Sequence, residues 1–212
     1  MKPLVIFLNG TSSSGKTSIA QALQALHPTP LLHTGIDTLY TMLPQKALGE
    51  TSLAKDGYRY LMKNGVLDHV EIGEYAQRLL ACTVPLTQVL LEHKNDLVID
   101  EILFAGEGRD FLYHYAESFI DARAYFVKVD CALEILEQRE IERGNRHRGL
   151  ACLQYNHVHN HSYAYDITVN SGEADAMACA QYIVSAIEHM PQPEAFAAIR
   201  ARKTQSEHYI QS

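Results

Sequence analysis

The stretch Gly10-Thr11-Ser12-Ser13-Ser14-Gly15-Lys16-Thr17 decides the fold of this 212-residue chain. It fits the pattern GxxxxGK[ST] without a gap, and it follows an apolar run at 4–8 that predicts a buried strand. Behind it, Ile19, Leu23 and Leu26 recur with the spacing of one helix face. Glycines let the backbone wrap closely around phosphate oxygens, and the following helix adds its positive N-terminal end. The loop therefore predicts binding of a nucleoside triphosphate.

Particular side chains of this region suit ATP and Mg²⁺. Lys16 is long enough to reach the β- and γ-phosphates and is expected to act in catalysis by stabilising their charge, and the hydroxyl of Thr17 suits Mg²⁺. Asp100 and Glu101 end an apolar run at 97–99, so Asp100 is expected to hold Mg²⁺ with Thr17, whereas a role for Glu101 stays open. The residues expected to bind ATP in the loop are Gly10, Thr11, Ser12, Ser13, Ser14, Gly15, Lys16 and Thr17.

Strands and helices alternate along the rest of the chain, which predicts an α/β fold with a mainly parallel sheet of about five strands. The predicted strands lie at 4–8, 31–35, 97–99, 124–129 and 167–169. A long helix is predicted from Tyr75 to Val89 with a kink at Pro85, and Asp130 is expected to cap a helix that begins at Cys131.

Two parts of the chain lack a clear pattern. Residues 45–70 are interpreted as an insertion beside the acceptor site, within a kinase-like domain of residues 1–190. Pro191 and Pro193 are expected to begin a polar C-terminal tail, 191–212.

Composition excludes several classes of protein. The chain is 47% hydrophobic, which excludes disorder for most of its length, and no apolar run approaches the length of a transmembrane helix. Its net charge of −7 makes general binding to nucleic acid or to an anionic membrane unfavourable. The opening apolar run is too short for a signal peptide, and the four cysteines are far apart. A cytoplasmic location is therefore expected.

Asp37 follows the second predicted strand and is the candidate catalytic base. In small-molecule kinases of this architecture, a carboxylate at this point faces the acceptor and takes the proton from the attacking hydroxyl. The alternative is that Asp37 only caps the helix that follows.

An arginine-rich segment, 139–150, is the candidate lid over the nucleotide. Arg139 and Arg143 are spaced to share a helix face, Gly144 ends that helix, and Arg146 and Arg148 follow. Planar guanidinium groups suit the oxygens of a transferring phosphoryl group, so Arg139 and Arg143 are expected to act in catalysis. Arg143 and Arg146 are expected to bind ATP. The alternatives are a solvated face paired with nearby glutamates, and RNA binding.

Three histidines, His157, His159 and His161, alternate with other residues. They lack supporting carboxylates or cysteines at metal-binding spacing, which favours a structural or exposed position over a metal site.

The chain resembles the chloramphenicol phosphotransferase-like family. The resemblance lies in LNGTSSSGKTSIA, GIDTLYTMLP, the VIDE strand, the arginine block from Arg139 to Arg146, and shorter matches around Val158 and Tyr165. It implies a three-layer P-loop kinase fold with strand order 2-3-1-4-5, helices on both faces and an arginine lid. It also implies ATP-dependent phosphorylation of a small-molecule hydroxyl, with Asp37 at the base position.

The leading hypothesis is therefore an enzyme that moves the γ-phosphate of ATP, with Mg²⁺, to a hydroxyl of chloramphenicol or another antibiotic or metabolite. One alternative is a nucleotide-dependent switch or ATPase whose tail, 191–212, meets a protein partner. Another is a toxin-type kinase of a nucleotide sugar. A homo-oligomer is left open.

Overall fold

The structure is a computed structural model that describes residues 2–103, 108–144, 147–159 and 163–210, the side chains of 108–110, 157 and 203–210 excepted. Its strands are β1 (Leu4–Asn9), β2 (Leu31–Gly35), β3 (Leu48–Gly49), β4 (Tyr58–Lys63), β5 (Val66–Ile72), β6 (Asp96–Glu101), β7 (Arg123–Asp130) and β8 (Ile167–Asn170). Its helices are α1 (Lys16–Leu26), α2 (Ile36–Tyr40), α3 (Glu74–Leu80), α4 (Thr83–Glu92), α5 (Gly108–Ser118), α6 (Leu133–Arg143), α7 (Leu150–His159), α8 (Ala176–His189) and α9 (Ala195–Ile210).

Five strands form one parallel sheet in the order β2-β6-β1-β7-β8. Counted along the chain within this sheet, that order is 2-3-1-4-5, so the predicted order is confirmed. The carboxyl ends of β1, β2 and β6 therefore lie side by side, which is where such sheets bind their ligands.

Each face of this sheet carries its own apolar core, because alternate residues of a strand point to opposite sides. Leu4, Ile6 and Leu8 of β1 pack with α1 and α8, whereas Val5 and Phe7 pack with α4, α5 and α9. The predicted three layers are confirmed. Among the described residues, no helix has both the length and the apolar character to span a membrane.

The stretch 45–70 contains regular structure that the sequence analysis missed. Strands β4 and β5 form an antiparallel hairpin, and β3 joins them in a second, three-stranded sheet. The hairpin turns at Asn64 and Gly65, whose φ angles of 53° and 76° are both positive. Asn-Gly is the sequence that favours such a two-residue turn, so this signal was present in the chain.

The prediction of one long, kinked helix from Tyr75 to Val89 is wrong. Two helices, α3 and α4, are separated at Ala81 and Cys82. Pro85 occupies the first turn of α4, where a backbone N–H has no partner within the helix, so the proline leaves no kink.

The capping role predicted for Asp130 is also wrong. Asp130 stays in β7, and α6 begins only at Leu133 with Ala132 before it. The carboxylate instead lies 2.8 Å from Nε2 of His159 and 3.3 Å from Nζ of Lys128. Burial would raise the pKa of Asp130, but the hydrogen bonds and charges of these two partners outweigh it and lower that pKa.

The segment after Pro193 differs from the polar tail that was expected. It forms α9, whose first residues Ala195, Phe196 and Ile199 are buried in the core beside α5. Asp166 ties this helix to the sheet, since its carboxylate accepts from the backbone N–H of Phe126 and of Ala195. A partner-binding role for the whole tail loses its basis, because the start of the helix is internal.

Candidate active site

The phosphate-binding loop joins β1 to α1 at the centre of the parallel sheet. Ser13 and Gly15 adopt the left-handed backbone conformation, with φ of 63° and 86°. Gly10 has no space for a side chain, because a Cβ there would lie 2.7 Å from the main-chain oxygen of Val129. Nζ of Lys16 donates to the main-chain oxygens of Gly10 and Thr11, at 2.8 and 2.7 Å. The ammonium group thus lies over the loop that it is expected to serve.

Two hydroxyl groups of the loop fit an oxygen-rich ligand. The Oγ atoms of Ser13 and Ser14 are buried, and none of the residues that the structure describes gives either of them a hydrogen-bond partner. Burying a polar group without a partner costs free energy, and loops of this shape recover that cost when they bind phosphate.

Thr17 and Asp100 form the candidate magnesium site. The Thr17 hydroxyl donates to Oδ2 of Asp100 at 2.8 Å, which brings two hard oxygen ligands together at the sheet edge. Gly35 allows this approach, because a Cβ there would lie 2.2 Å from the main-chain oxygen of Asp100. Nε2 of His33 lies 3.0 Å from Oδ1 of Asp100, but its direction does not satisfy hydrogen-bond geometry.

Glu101, the next residue, is buried beneath the site. Burial raises the pKa of its carboxyl to about 8, and the negative charges of Asp100 and Asp37 add to that rise. The hydroxyl of Tyr115 donates to Oε1 of Glu101 at 2.8 Å, which opposes the rise only in part. The neutral form of Glu101 is therefore favoured up to a higher pH than for an ordinary glutamate.

Asp37 lies in the first turn of α2 and borders the same cavity as Lys16 and Asp100. The helix begins after Gly35, so the alternative that Asp37 is an N-cap is wrong. The carboxylate is exposed to the cavity, and its charge reaches Glu101 and Tyr58.

Three tyrosines, Tyr40, Tyr58 and Tyr60, border the same cavity as the loop. The hydroxyls of Tyr40 and Tyr60 are 2.7 Å apart, and the rings of Tyr40 and Tyr58 are 5.2 Å apart. Burial raises the pKa of Tyr58 to about 12, with Tyr40, Glu101 and Asp37 adding to the effect. Tyr58 and Tyr60 come from the hairpin that the sequence analysis left without structure.

The candidate lid arginines occupy different positions. Arg139 is half-buried, and its guanidinium donates to the main-chain oxygens of Ser171 and Ser13, at 2.7 and 3.4 Å. Arg143, one turn later on α6, is exposed and borders the cavity. Arg146 lies outside the described residues. Arg139 is thus held by hydrogen bonds to the loop and to Ser171.

Helix α7 begins at the end of the arginine-rich segment and was not predicted from the sequence. Glu140 of α6 is buried and accepts from the backbone N–H groups of Gly149 and Ala151, at 3.0 and 2.6 Å, so it does not belong to a solvated face. His159 ends α7 and bonds Asp130, whereas the side chain of His157 and all of His161 lie outside the described residues.

One residue of α7 reaches the phosphate-binding loop. Oε1 of Gln154 accepts from the backbone N–H of Ser12 at 2.7 Å, and Gln154 also borders the cavity. The sequence offers one signal for Gln154: it is a polar residue at a position where the buried face of α7 is expected to carry an apolar one.

A single cavity of about 1050 Å³ connects these groups. Its lining includes Lys16, Thr17 and Arg143 together with Asp37 and the three tyrosines. A phosphate-binding loop at the centre of a parallel sheet, with an acid at the end of the neighbouring strand, defines the class of P-loop kinases.

The chain belongs to the chloramphenicol phosphotransferase-like family, whose model matches residues 3–188. It is thus a phosphotransferase of the small-molecule kinase type. A Mycobacterium tuberculosis protein that is named as an O-phosphotransferase is 25% identical over 202 residues, covering 93% of this chain and 88% of the relative.

Solved structures show the same fold at lower identity. The APS kinase of Mycobacterium tuberculosis, solved with AMPPNP and APS, superposes with a TM-score of 0.57 at 16% identity, covering 88% of this chain and 98% of that one. A gluconokinase from Sinorhizobium meliloti gives 0.57 at 13% identity, covering 89% and 93%. The tunicamycin resistance protein of Deinococcus radiodurans gives 0.52 at 10% identity, covering 87% and 96%.

Proposed function

We propose that this chain transfers the γ-phosphate of ATP, in the presence of Mg²⁺, to a hydroxyl group of a small molecule. The observation that carries the proposal is the single cavity that holds Lys16 and the phosphate-binding loop together with Asp37. Phosphoryl transfer needs a donor and an acceptor in line, and one continuous chamber allows both to bind at once.

The nucleotide part of the cavity suits a polyphosphate. The orphaned hydroxyls of Ser13 and Ser14 and the ammonium of Lys16 would contact phosphate oxygens. Thr17 and Asp100 would hold Mg²⁺, which neutralises charge on the phosphates when it is bound. Arg139 and Arg143 would add positive charge beside the transferring group.

The acceptor part of the cavity suits an alcohol with an apolar or planar body. Tyr40, Tyr58 and Tyr60 offer ring faces and hydroxyls, and Val70 and Ile72 add apolar surface. Asp37 would take the proton of the attacking hydroxyl as the oxygen–phosphorus bond forms. Stretch 45–70 would thus serve as the acceptor-side insertion, and the family name makes chloramphenicol the first compound to test.

The proposal is tested by ADP release from ATP in a screen of hydroxyl-bearing compounds, including chloramphenicol and nucleosides. We expect at least one compound to stimulate release and to gain a phosphate that mass spectrometry detects. A chain that binds no ATP, or that no alcohol stimulates, would contradict the proposal.

The role of Asp37 is tested by Asp37→Asn, which keeps the shape of the side chain but cannot accept the proton. We expect near-normal ATP binding and a loss of transfer of roughly 100- to 10,000-fold, the usual contribution of a general base. Lys16→Ala is the contrast, because it should weaken binding and transfer together. Unchanged transfer by Asp37→Asn would remove the base assignment.

A further inference from the structure

Gln154 is a buried polar residue on a helix face that otherwise packs apolar side chains. Among the α7 side chains that the structure describes, the buried ones are Ala151, Gln154 and Val158, and they follow the spacing of one helix face. A buried amide costs free energy unless it is hydrogen-bonded, and an apolar side chain would pack at this position without that cost. Residues that break the local pattern in this way are commonly functional.

The hydrogen bond from the loop determines how the amide of Gln154 is oriented. The partner is the backbone N–H of Ser12, which can only donate, so the accepting atom must be Oε1. The side chain is only 6% exposed, so this contact holds it beside the loop. The group that remains for a ligand is the NH2 of the amide, at Nε2, which carries two donors and no acceptor. Gln154 therefore meets the cavity as a hydrogen-bond donor, which is the type of group that phosphate oxygens require.

The position of α7 indicates which phosphate this donor would meet. The helix follows the segment 147–149, which touches the acceptor-side hairpin: the rings of His147 and Tyr60 are 4.2 Å apart, and the N–H of Leu67 donates to the main-chain oxygen of Arg148 at 2.7 Å. Gln154 thus approaches the loop from the acceptor side. The phosphate nearest to the acceptor is the one that is transferred.

We propose that Gln154 is a catalytic residue that donates from Nε2 to the terminal phosphate of the bound nucleotide, while its Oε1 holds the Ser12 N–H in place. This assignment rests on the proposed function. It makes Gln154 a γ-phosphate contact, which distinguishes ATP from ADP. A residue that only held the loop would affect both nucleotides alike.

The test is Gln154→Glu, with Mg²⁺-dependent binding of ATP and of ADP measured by calorimetry. The carboxylate still accepts from the Ser12 N–H, but it replaces two donors with a negative charge. We expect ATP affinity to fall roughly 10- to 100-fold, as for loss of a charge-assisted hydrogen bond, and ADP affinity to fall much less. Gln88→Glu, at an exposed position of α4, is the control for added charge and should leave both affinities unchanged.

A second variant covers the case in which a buried carboxylate prevents folding. Gln154→Met keeps the length of the side chain but has neither donors nor an acceptor. We expect its affinity for ATP to fall about tenfold more than its affinity for ADP. An unchanged ratio of the two affinities, or equal losses for both nucleotides, would overturn the assignment. A wild-type chain that binds neither nucleotide would overturn the proposed function, and this assignment with it.

Discussion

At the scale of single residues, Glu101 shows how position rather than identity decides chemistry. Asp100 and Glu101 are adjacent carboxylic acids at the end of β6, and the sequence alone treats them as a similar pair. The hydroxyl of Thr17 donates to Asp100, whereas the hydroxyl of Tyr115 donates to Glu101, whose pKa is raised to about 8. Strand alternation sends the two side chains to opposite sides, so only one of them meets the candidate metal site.

This difference predicts how stability changes with pH. Between the ordinary pKa of a glutamate, near 4.5, and the raised value near 8, the unfolded chain has lost the Glu101 proton while the folded chain keeps it. The folded state then binds more protons, so this group makes the free energy of unfolding fall as pH rises through that window. Glu101→Gln keeps an acceptor for Tyr115 and cannot titrate. The wild type should lose on the order of a few kcal/mol in its free energy of unfolding between pH 5 and pH 8.5, and we expect this loss to be absent from the variant. Urea unfolding at a series of pH values measures it.

The control for this experiment is Glu117→Gln, an exposed position on α5, the helix that carries Tyr115. It should leave the pH dependence of stability as it is in the wild type. If Glu101→Gln also leaves the pH dependence unchanged, the raised pKa is contradicted.

At the scale of elements, the hairpin β4–β5 and the segment 147–149 meet above the cavity. The ring of Tyr60 lies against that of His147, and the backbone N–H of Leu67 binds the main-chain oxygen of Arg148. Gly149, with φ of 95°, fits closely, since a Cβ there would lie 2.5 Å from Cγ1 of Val66. The two elements therefore support each other, although 75 residues or more of chain separate them.

Removing the Tyr60 ring should loosen this contact. We expect Tyr60→Ala to speed tryptic cleavage after Arg148 several-fold under native conditions, because local opening limits cleavage of a packed segment. Tyr60→Phe is the matched control: it keeps the ring against His147 and removes the hydroxyl that contacts Tyr40. Equal cleavage of Tyr60→Ala and the wild type would contradict the contact. Fast cleavage of Tyr60→Phe would assign the effect to the hydroxyl pair.

At the scale of the whole molecule, α9 shows that the fold extends beyond the matched family region. Phe196 packs among Phe7, Phe119 and Phe126, with ring centroids 5.7, 4.9 and 5.2 Å away. These three rings come from β1, from the turn that follows α5 and from β7, so one side chain of the C-terminal helix joins three other parts of the fold.

Phe196→Ala should therefore lower the free energy of unfolding by about 3–5 kcal/mol, the usual cost of emptying an aromatic site in a core. Chemical denaturation monitored by circular dichroism measures it. Ala197→Ser, on the exposed face of the same helix, should change stability by no more than about 0.5 kcal/mol. A loss below 1 kcal/mol for Phe196→Ala would show that α9 is not part of the core.

Local patterns in the sequence were sufficient for the phosphate-binding loop, the five strands of the main sheet and the end of α6 at Gly144, since each depends on a short run of neighbouring residues. The Asn64-Gly65 turn was also readable and was missed. Helix α9 was not readable, because its core residues Ala195, Phe196 and Ile199 form too short a pattern after the two prolines, and its anchor, Asp166, lies 29 residues before Ala195.

The sequence by itself determined the phosphate-binding loop and the acid at the end of the neighbouring strand. Both are local features, because their geometry is set by adjacent residues. Only the tertiary structure decided which arginine is anchored and which amide faces the loop. Those properties depend on burial and on partners more than 100 residues away, such as Gln154 beside Ser12 and Ser13 beside Arg139. Electrostatic effects act through space, so no window along the chain contains them.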